Sequence, residues 1–142
     1  MLPLSWWIDR LAHPEGLTIA LGAMEGPSLA GTVALEFSSK TKTRHKALVV
    51  AMYVRPACRG RGFGRALMQA ALNEAKARPH ITTVQLEVTE GNGAAVALYQ
   101  SLGFVAYGIE PRAVRSPKGY LNKVHMWLDV IEDSTDRDRV DL

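Results

Sequence analysis

The first feature of this chain able to do chemistry is the run Arg59-Gly60-Arg61-Gly62-Phe63-Gly64-Arg65, glycines and arginines in alternation. It falls between a strand-like pattern and a helix-like one. The first backbone N–H groups of a helix have no partner inside it and carry the positive end of the macrodipole. Glycines let the backbone approach a ligand without Cβ obstruction, so such a turn can wrap a pyrophosphate. Arg59, Arg61 and Arg65 add positive charge nearby. The bland alternative is a tight turn flanked by solvated arginines. The run is not a Walker loop, because no Gly-Lys-Ser/Thr follows. It is not a dinucleotide fingerprint either, since Gly62 is not followed by x-x-Gly.

The elements that must position this turn are legible on both sides. Leu17–Leu21 reads as a short strand, Glu25-Gly26-Pro27 as a turn, and Leu29–Phe37 as a second strand. The polar stretch Ser38–Arg44 reads as a hairpin loop. Lys46–Val54, rich in Val, Ala and Tyr, has the composition of a largely buried central strand that Pro56 ends. The spacing of Phe63, Leu67, Ala70, Ala71 and Ala75 predicts a helix over Gly62–Arg78, closed by Pro79. Thr83–Val88 is a further strand. Asn92 is a good N-cap for a second helix over Ala94–Leu102, with Ala95, Leu98 and Leu102 along one face and Gly103 just past its end. Phe104–Ile109 and Tyr120–Val130 read as strands joined by a polar loop holding Pro111, Pro117 and Gly119. The order is β-β-β-α-β-α-β-β, preceded by the end of a helix carrying Trp6, Trp7 and Leu11. One domain over residues 1–131 is expected, followed by a charged tail over 132–142.

Composition narrows the class. The 142 residues suit one domain, and 47% hydrophobic with 22% charged residues is ordinary for a soluble globular protein. No apolar run approaches the roughly 20 residues that span a bilayer, so no membrane partner is expected. Asp9 and Arg10 interrupt the apolar start as no signal peptide would allow. The single cysteine, Cys58, forbids an internal disulfide and suits a reducing, cytoplasmic setting. The net charge of +3 combines a tail of −3 with a body of +6, a balance open to nucleic acid or to a phosphorylated cofactor. No recognition helix or aromatic ribbon supports nucleic acid. The four histidines are scattered without ligand spacing, so no metal is indicated.

Val54-Arg-Pro-Ala-Cys-Arg59-Gly-Arg-Gly62-Phe-Gly64 resembles the signature of the GNAT acetyltransferases, Arg/Gln-x-x-Gly-x-Gly/Ala preceded by Val-x-Pro. Asn92-Gly-Ala-Ala95-Val-Ala-Leu98-Tyr99-Gln-Ser-Leu-Gly103-Phe104 resembles the family's other signature, Asn-x-x-Ala-x-x-Leu-Tyr-x-x-x-Gly-Phe. The likeness runs from about Leu17 to Val130 and is one of identity over Val50–Phe104. It implies an α/β (α+β) fold, a mixed and mostly antiparallel central sheet whose parallel βαβ core holds acetyl-CoA. It further implies that Gly60, Arg61, Gly62, Phe63, Gly64 and their arginine neighbours hold the pyrophosphate. By the same resemblance Met52, Tyr53 and Val54 bond the pantetheine arm like an added strand, Asn92 and Ala95 lie against it, and the N–H near Tyr53 meets the oxyanion. Tyr99 then protonates the departing thiolate. Outside this motif, a core tyrosine with a satisfied hydroxyl would account for it. Glu87, set between Leu86 and Val88, is the first candidate for the base, its burial raising its pKa. An ordinary strand glutamate, solvated or paired with a basic side chain, is the alternative. Glu36, His45, Glu90 and His125 are weaker candidates.

The activity implied is transfer of acetyl from acetyl-CoA to a primary amine, a small molecule or a peptide, by direct attack in a ternary complex. A non-catalytic coenzyme A sensor is the alternative. Cys58 lacks a histidine partner in motif spacing and is not expected to carry an acyl group. Trp6 and Trp7 suit apolar packing or a dimer contact better than an acceptor pocket. Lys40–Lys46 suits a solvated hairpin loop. Relatives have a strand and a helical pair ahead of the position of Leu17, where this chain has 16 residues. These elements are therefore expected to be shortened, and a homodimer could complete the missing wall. Asn122-Lys123 stands where relatives often carry an acidic pair, which argues against polyamine acceptors.

Overall fold

Alternating apolar residues build most of this molecule, and the strands they form join in one sheet. The computed structural model describes residues 6–10 and 17–131. Among the described residues seven strands line up in the order β1-β2-β3-β4-β5-β7-β6. They are β1 Trp6–Arg10, β2 Thr18–Glu25, β3 Ser28–Phe37, β4 Lys46–Val54, β5 Thr83–Thr89, β6 Val105–Ser116 and β7 Gly119–Asp129. Among the described residues two α-helices, α1 Phe63–Lys76 and α2 Gly93–Ser101, join these strands. All neighbouring strands are antiparallel except β4 and β5, which are joined through α1 as a parallel pair requires.

Helix α1 forms because Phe63, Leu67, Met68, Ala71, Leu72 and Ala75 recur on one face, and that face is buried. It packs on β3, β2 and β4. Gly31 on β3 permits the close approach: a Cβ there would lie 2.6 Å from the Tyr53 carbonyl oxygen and 3.0 Å from Leu67 Cδ1.

Three expectations need correction. Trp6–Arg10 is not the end of a helix but a strand, in register from Trp6 opposite Glu25 to Arg10 opposite Leu21. Tryptophan and isoleucine favour extended backbone, and the free edge of β2 supplies the ladder. Leu11 and the tail over 132–142 lie outside the described residues. Second, β4 is not buried along its length, because its second half loses β5 as a neighbour. Third, the polar loop after Ile109 is largely strand, since β6 continues to Ser116. Its pairing with β7 shifts between Glu110 and Val114, and Pro111 sits in that irregularity on an edge strand.

The decisive feature is a failure of pairing. β4 meets β5 only from Lys46 opposite Thr83 to Leu48 opposite Gln85. Beyond that point the two strands separate. A bulge marks the place on β4: register against β3 slips between Thr32 and Ala34, Ala51 takes φ 53°, and Thr32 Oγ1 donates to the Ala51 carbonyl at 3.1 Å.

Candidate active site

The end of β4, the turn into α1 and one side of α2 enclose a cleft of about 480 Å³. Met52, Tyr53 and Val54 line it from β4, along a strand edge that β5 has left. Such an edge can accept an extended ligand as an extra strand. Arg59, Gly60, Gly62, Phe63 and Gly64 line it from the turn. Asn92, Ala95 and Tyr99 line it from α2. Eleven of the fourteen residues expected at the site thus meet in one cleft, whereas Arg61, Arg65 and Glu87 do not line it.

Gly60 and Gly62 have φ of 75° and 90°, the left-handed region in which any other residue is strained. Gly62 is the N-cap of α1, which has no side-chain cap and no acid in its first turn. The helix therefore presents the positive end of its dipole to the cleft with no acidic side chain of its first turn to offset it. Each arginine is tied to a different element. Arg59 Nε donates to the Val54 carbonyl at 2.9 Å, with its guanidinium 5.6 Å from the Tyr53 ring centre. Arg61 forms an ion pair with Glu25 at the end of β2 and lies over Phe63. Arg65 donates to Ser101 Oγ on α2 at 2.7 Å. The three fasten the turn as well as charging it, and Arg61 spends its charge on Glu25.

On α2, Asn92 Oδ1 accepts from the Ala95 N–H at 3.3 Å, the expected N-cap. That leaves its amide NH₂ to donate elsewhere. The only fully buried residue of α2 is Tyr99, 7% exposed, its ring edge-on to Phe104 at 6.1 Å. Burial pushes the Tyr99 phenol above its usual pKa, so the hydroxyl stays protonated at neutral pH. Ala95, expected at the cleft, lines it, and Leu98 from the same helix face joins it there. Sequence reasoning also passed over Ala94 and Cys58 as lining. Cys58 is buried, with Arg55 3.5 Å from its sulfur.

Glu87 departs from expectation in its surroundings. It is exposed, not buried, with Lys123 Nζ 3.4 Å and His125 Nδ1 3.7 Å from its carboxylate. Strand alternation is the reason: Leu86 and Val88 face the core, so the residue between them faces the opposite way. It lies two residues past the last β4–β5 pair, beside the split. The weaker candidates divide. Glu90 accepts from the Asn122 N–H at 2.9 Å, whereas His125 reaches both Glu87 and Glu110. Glu87, Glu110 and His125 can bring one ligand atom each within 4.8 Å of one another, a grouping across strands that the linear spacing of the histidines hides.

The donors suit one kind of ligand. Left-handed glycines and a helix start fit a diphosphate, and the strand edge fits an amide-bearing arm, as coenzyme A combines them. The Acetyltransferase (GNAT) family profile matches residues 2–104. The "N-alpha-acetyltransferase RimI" of Mycobacterium tuberculosis is 36% identical over 106 residues, 75% of this chain and 63% of that protein, so the chain spans under two thirds of its length. The "[Ribosomal protein bS18]-alanine N-acetyltransferase" of Salmonella typhimurium is 33% identical over 136 residues, 91% of each chain. Among solved structures, yncA of Salmonella typhimurium, determined with its cofactor acetyl-CoA, superposes with TM-score 0.72 at 24% identity over 82% of this chain and 67% of that one. No helix of the described residues is long and apolar enough to cross a membrane. The sheet split beside a glycine-rich helix start and the two sequence signatures agree with these matches: this chain belongs to the GNAT acetyltransferase family.

Proposed function

We propose that this chain acetylates the α-amino group of a peptide or protein by direct attack in a ternary complex, with Glu87 as base and Tyr99 as acid. One observation carries the reading: the anion-binding turn, the abandoned strand edge and the protonated Tyr99 line a single cleft. Bound acetyl-CoA supplies an acetyl group activated as a thioester. The amides at Gly60–Gly64 and the Arg59 side chain grip its diphosphate. The edge at Met52–Val54 and the Asn92 amide hold the pantetheine arm, which directs the thioester toward Tyr99. The Tyr53 N–H stabilises negative charge on the acetyl oxygen. Tyr99 gives its proton to the departing sulfur.

The acceptor enters from the face opposite the helices, where Glu87 stands beside the split and takes the amine's proton. Its exposure supports contact with a large acceptor better than a closed pocket would. The peptide class follows the relatives, whose names specify an N-alpha position or an alanine of a ribosomal protein.

A thiol-release assay with acetyl-CoA tests this, using hexapeptides with free N-termini, N-blocked lysine peptides and small amines, with mass spectrometry of products. N-terminal acetylation of the hexapeptides is expected. Acetyl-CoA binding without thiol release on any acceptor would establish the sensor reading instead. Glu87→Gln should abolish most turnover, and full activity in that variant removes Glu87 as base.

A further inference from the structure

The sheet face turned away from the helices carries a row of ionisable groups of which the mechanism uses one. Register across β5, β7 and β6 sets Glu87 opposite His125 and His125 opposite Gly108. No side chain stands at Gly108, so the imidazole meets Glu110 further along the same edge strand. His125 Nε2 lies 3.1 Å from Glu110 Oε1, and its Nδ1 lies 3.7 Å from Glu87 Oε1. Lys123 on β7 holds the other Glu87 oxygen at 3.4 Å. From β6 the Tyr107 ring meets the imidazole edge-on at 6.0 Å, and Gln85 donates to the Tyr107 hydroxyl at 3.4 Å. The imidazole is thus fixed between two carboxylates on different strands.

We propose that His125 is the proton exit of the active site, a positioning residue that resets Glu87 by relaying its proton to Glu110 at the sheet edge. The inference rests on the reading of Glu87 as base. Acetylation of an ammonium leaves one proton on the amide nitrogen, sends one to the thiol and releases one to solvent. An acceptor seated over Glu87 covers the carboxyl that must release it. Side-chain exposure rises from 36% at Glu87 to 49% at Glu110, while His125 between them is 23% exposed. The relay therefore leads to the better-solvated group. In the step, the O–H bond of Glu87 breaks as an N–H bond forms at Nδ1. The Nε2–H bond breaks as an O–H bond forms on Glu110. Glu87 is again a carboxylate, Glu110 then loses its proton to water, no redox change occurs, and the ring regains its first tautomer through water. The 3.7 Å separation is longer than a hydrogen bond, and rotation of the exposed Glu87 carboxyl closes it.

The test compares His125→Ala, His125→Gln, Glu110→Gln and Glu87→Gln in EDTA-treated protein, with acetyl-CoA and the best hexapeptide acceptor. Both His125 variants should lose about tenfold in kcat, less than the full general-base contribution, with KM for acetyl-CoA unchanged. Added imidazole should restore His125→Ala but not Glu87→Gln. Glu110→Gln, on the solvated edge, should slow several-fold and recover at high buffer concentration. Full activity in both His125 variants, a loss that imidazole cannot restore, or a wild-type enzyme that EDTA inactivates would overturn the relay. If Glu87→Gln is inactive while His125→Ala runs at full rate, the relay alone fails. If Glu87→Gln is fully active, the base reading fails and the relay with it.

Discussion

Gly31→Ala should damage the cleft although Gly31 does not line it. The new Cβ would stand 2.6 Å from the Tyr53 carbonyl oxygen, 3.2 Å from Val54 Cα and 3.0 Å from Leu67 Cδ1. Leu67 can turn a methyl aside, but Tyr53 and Val54 meet the methyl with backbone and have no rotamer to change. The end of β4 must move by several tenths of an ångström, and that segment is the cleft wall. Overpacking of this kind costs about 1–3 kcal/mol. At roughly 3–4 °C per kcal/mol for a chain of this size, the melting temperature should fall by about 3–12 °C. Gly93→Ala is the control, because a Cβ at Gly93 meets nothing within 4 Å and the residue opens α2. That change should leave stability equal or slightly higher. Thermal unfolding with calorimetric titration of acetyl-CoA reads both effects, and weaker coenzyme binding is expected only for Gly31→Ala. A Gly31→Ala protein that melts within 1 °C of wild type (about the error of such scans) and binds acetyl-CoA normally would refute the argument that Gly31 seats the cleft wall.

Tyr99→Phe should lower turnover by about 10²-fold or more while acetyl-CoA binds as before, and unchanged turnover removes Tyr99 as acid. The same substitution has a signature in stability. Because burial raises the Tyr99 pKa, the folded state keeps a proton that the unfolded chain loses above about pH 10. Its contribution is therefore complete below that pH and is lost as pH rises through the folded value. Wild type should lose stability more steeply than Tyr99→Phe above pH 10, by up to about 1.4 kcal/mol per pH unit, and parallel denaturation curves would contradict the burial argument. Arg59→Glu should weaken acetyl-CoA binding more than Arg61→Glu, because Arg59 lines the cleft while Arg61 is engaged by Glu25. Equal losses in calorimetry would show that the ion pair opens on binding.

Local patterns made most of the cofactor side readable from the sequence. The α1 stripe, the Asn92 cap and the glycine turn each depend on neighbours within one helical turn, and each stands where its pattern put it. What was not readable depends on pairing between distant segments. Trp6–Arg10 is extended because β2 offers an edge, which the five residues do not announce. Glu87 illustrates the same limit in reverse. Apolar neighbours on a strand suggested burial, yet alternation sends the intervening residue to the other face, and the partners that meet it there come from β7. The Glu87–His125–Glu110 group joins residues from three strands and has no linear signature.

The cleft is the consequence of a sheet that stops pairing. Were β4 and β5 to stay in register beyond Leu48 and Gln85, the edge at Met52–Val54 would be consumed by the ladder. The bulge at Ala51 turns β4 out of register, and its positive φ is a strain of order 1–3 kcal/mol that a non-glycine residue sustains only when neighbours hold it. Here Thr32 holds it by donating to the Ala51 carbonyl, while α1 pressed onto Gly31 fixes the next residues. Arg59, bonded to the Val54 carbonyl, extends the same constraint into the anion-binding turn. The glycine-rich turn and the strand edge are thus parts of one connected run from Ala51 to Gly64. Thr32→Val, which keeps the shape but removes the hydroxyl, should therefore weaken acetyl-CoA binding although Thr32 does not line the cleft, and unaltered affinity would show that the bulge holds itself.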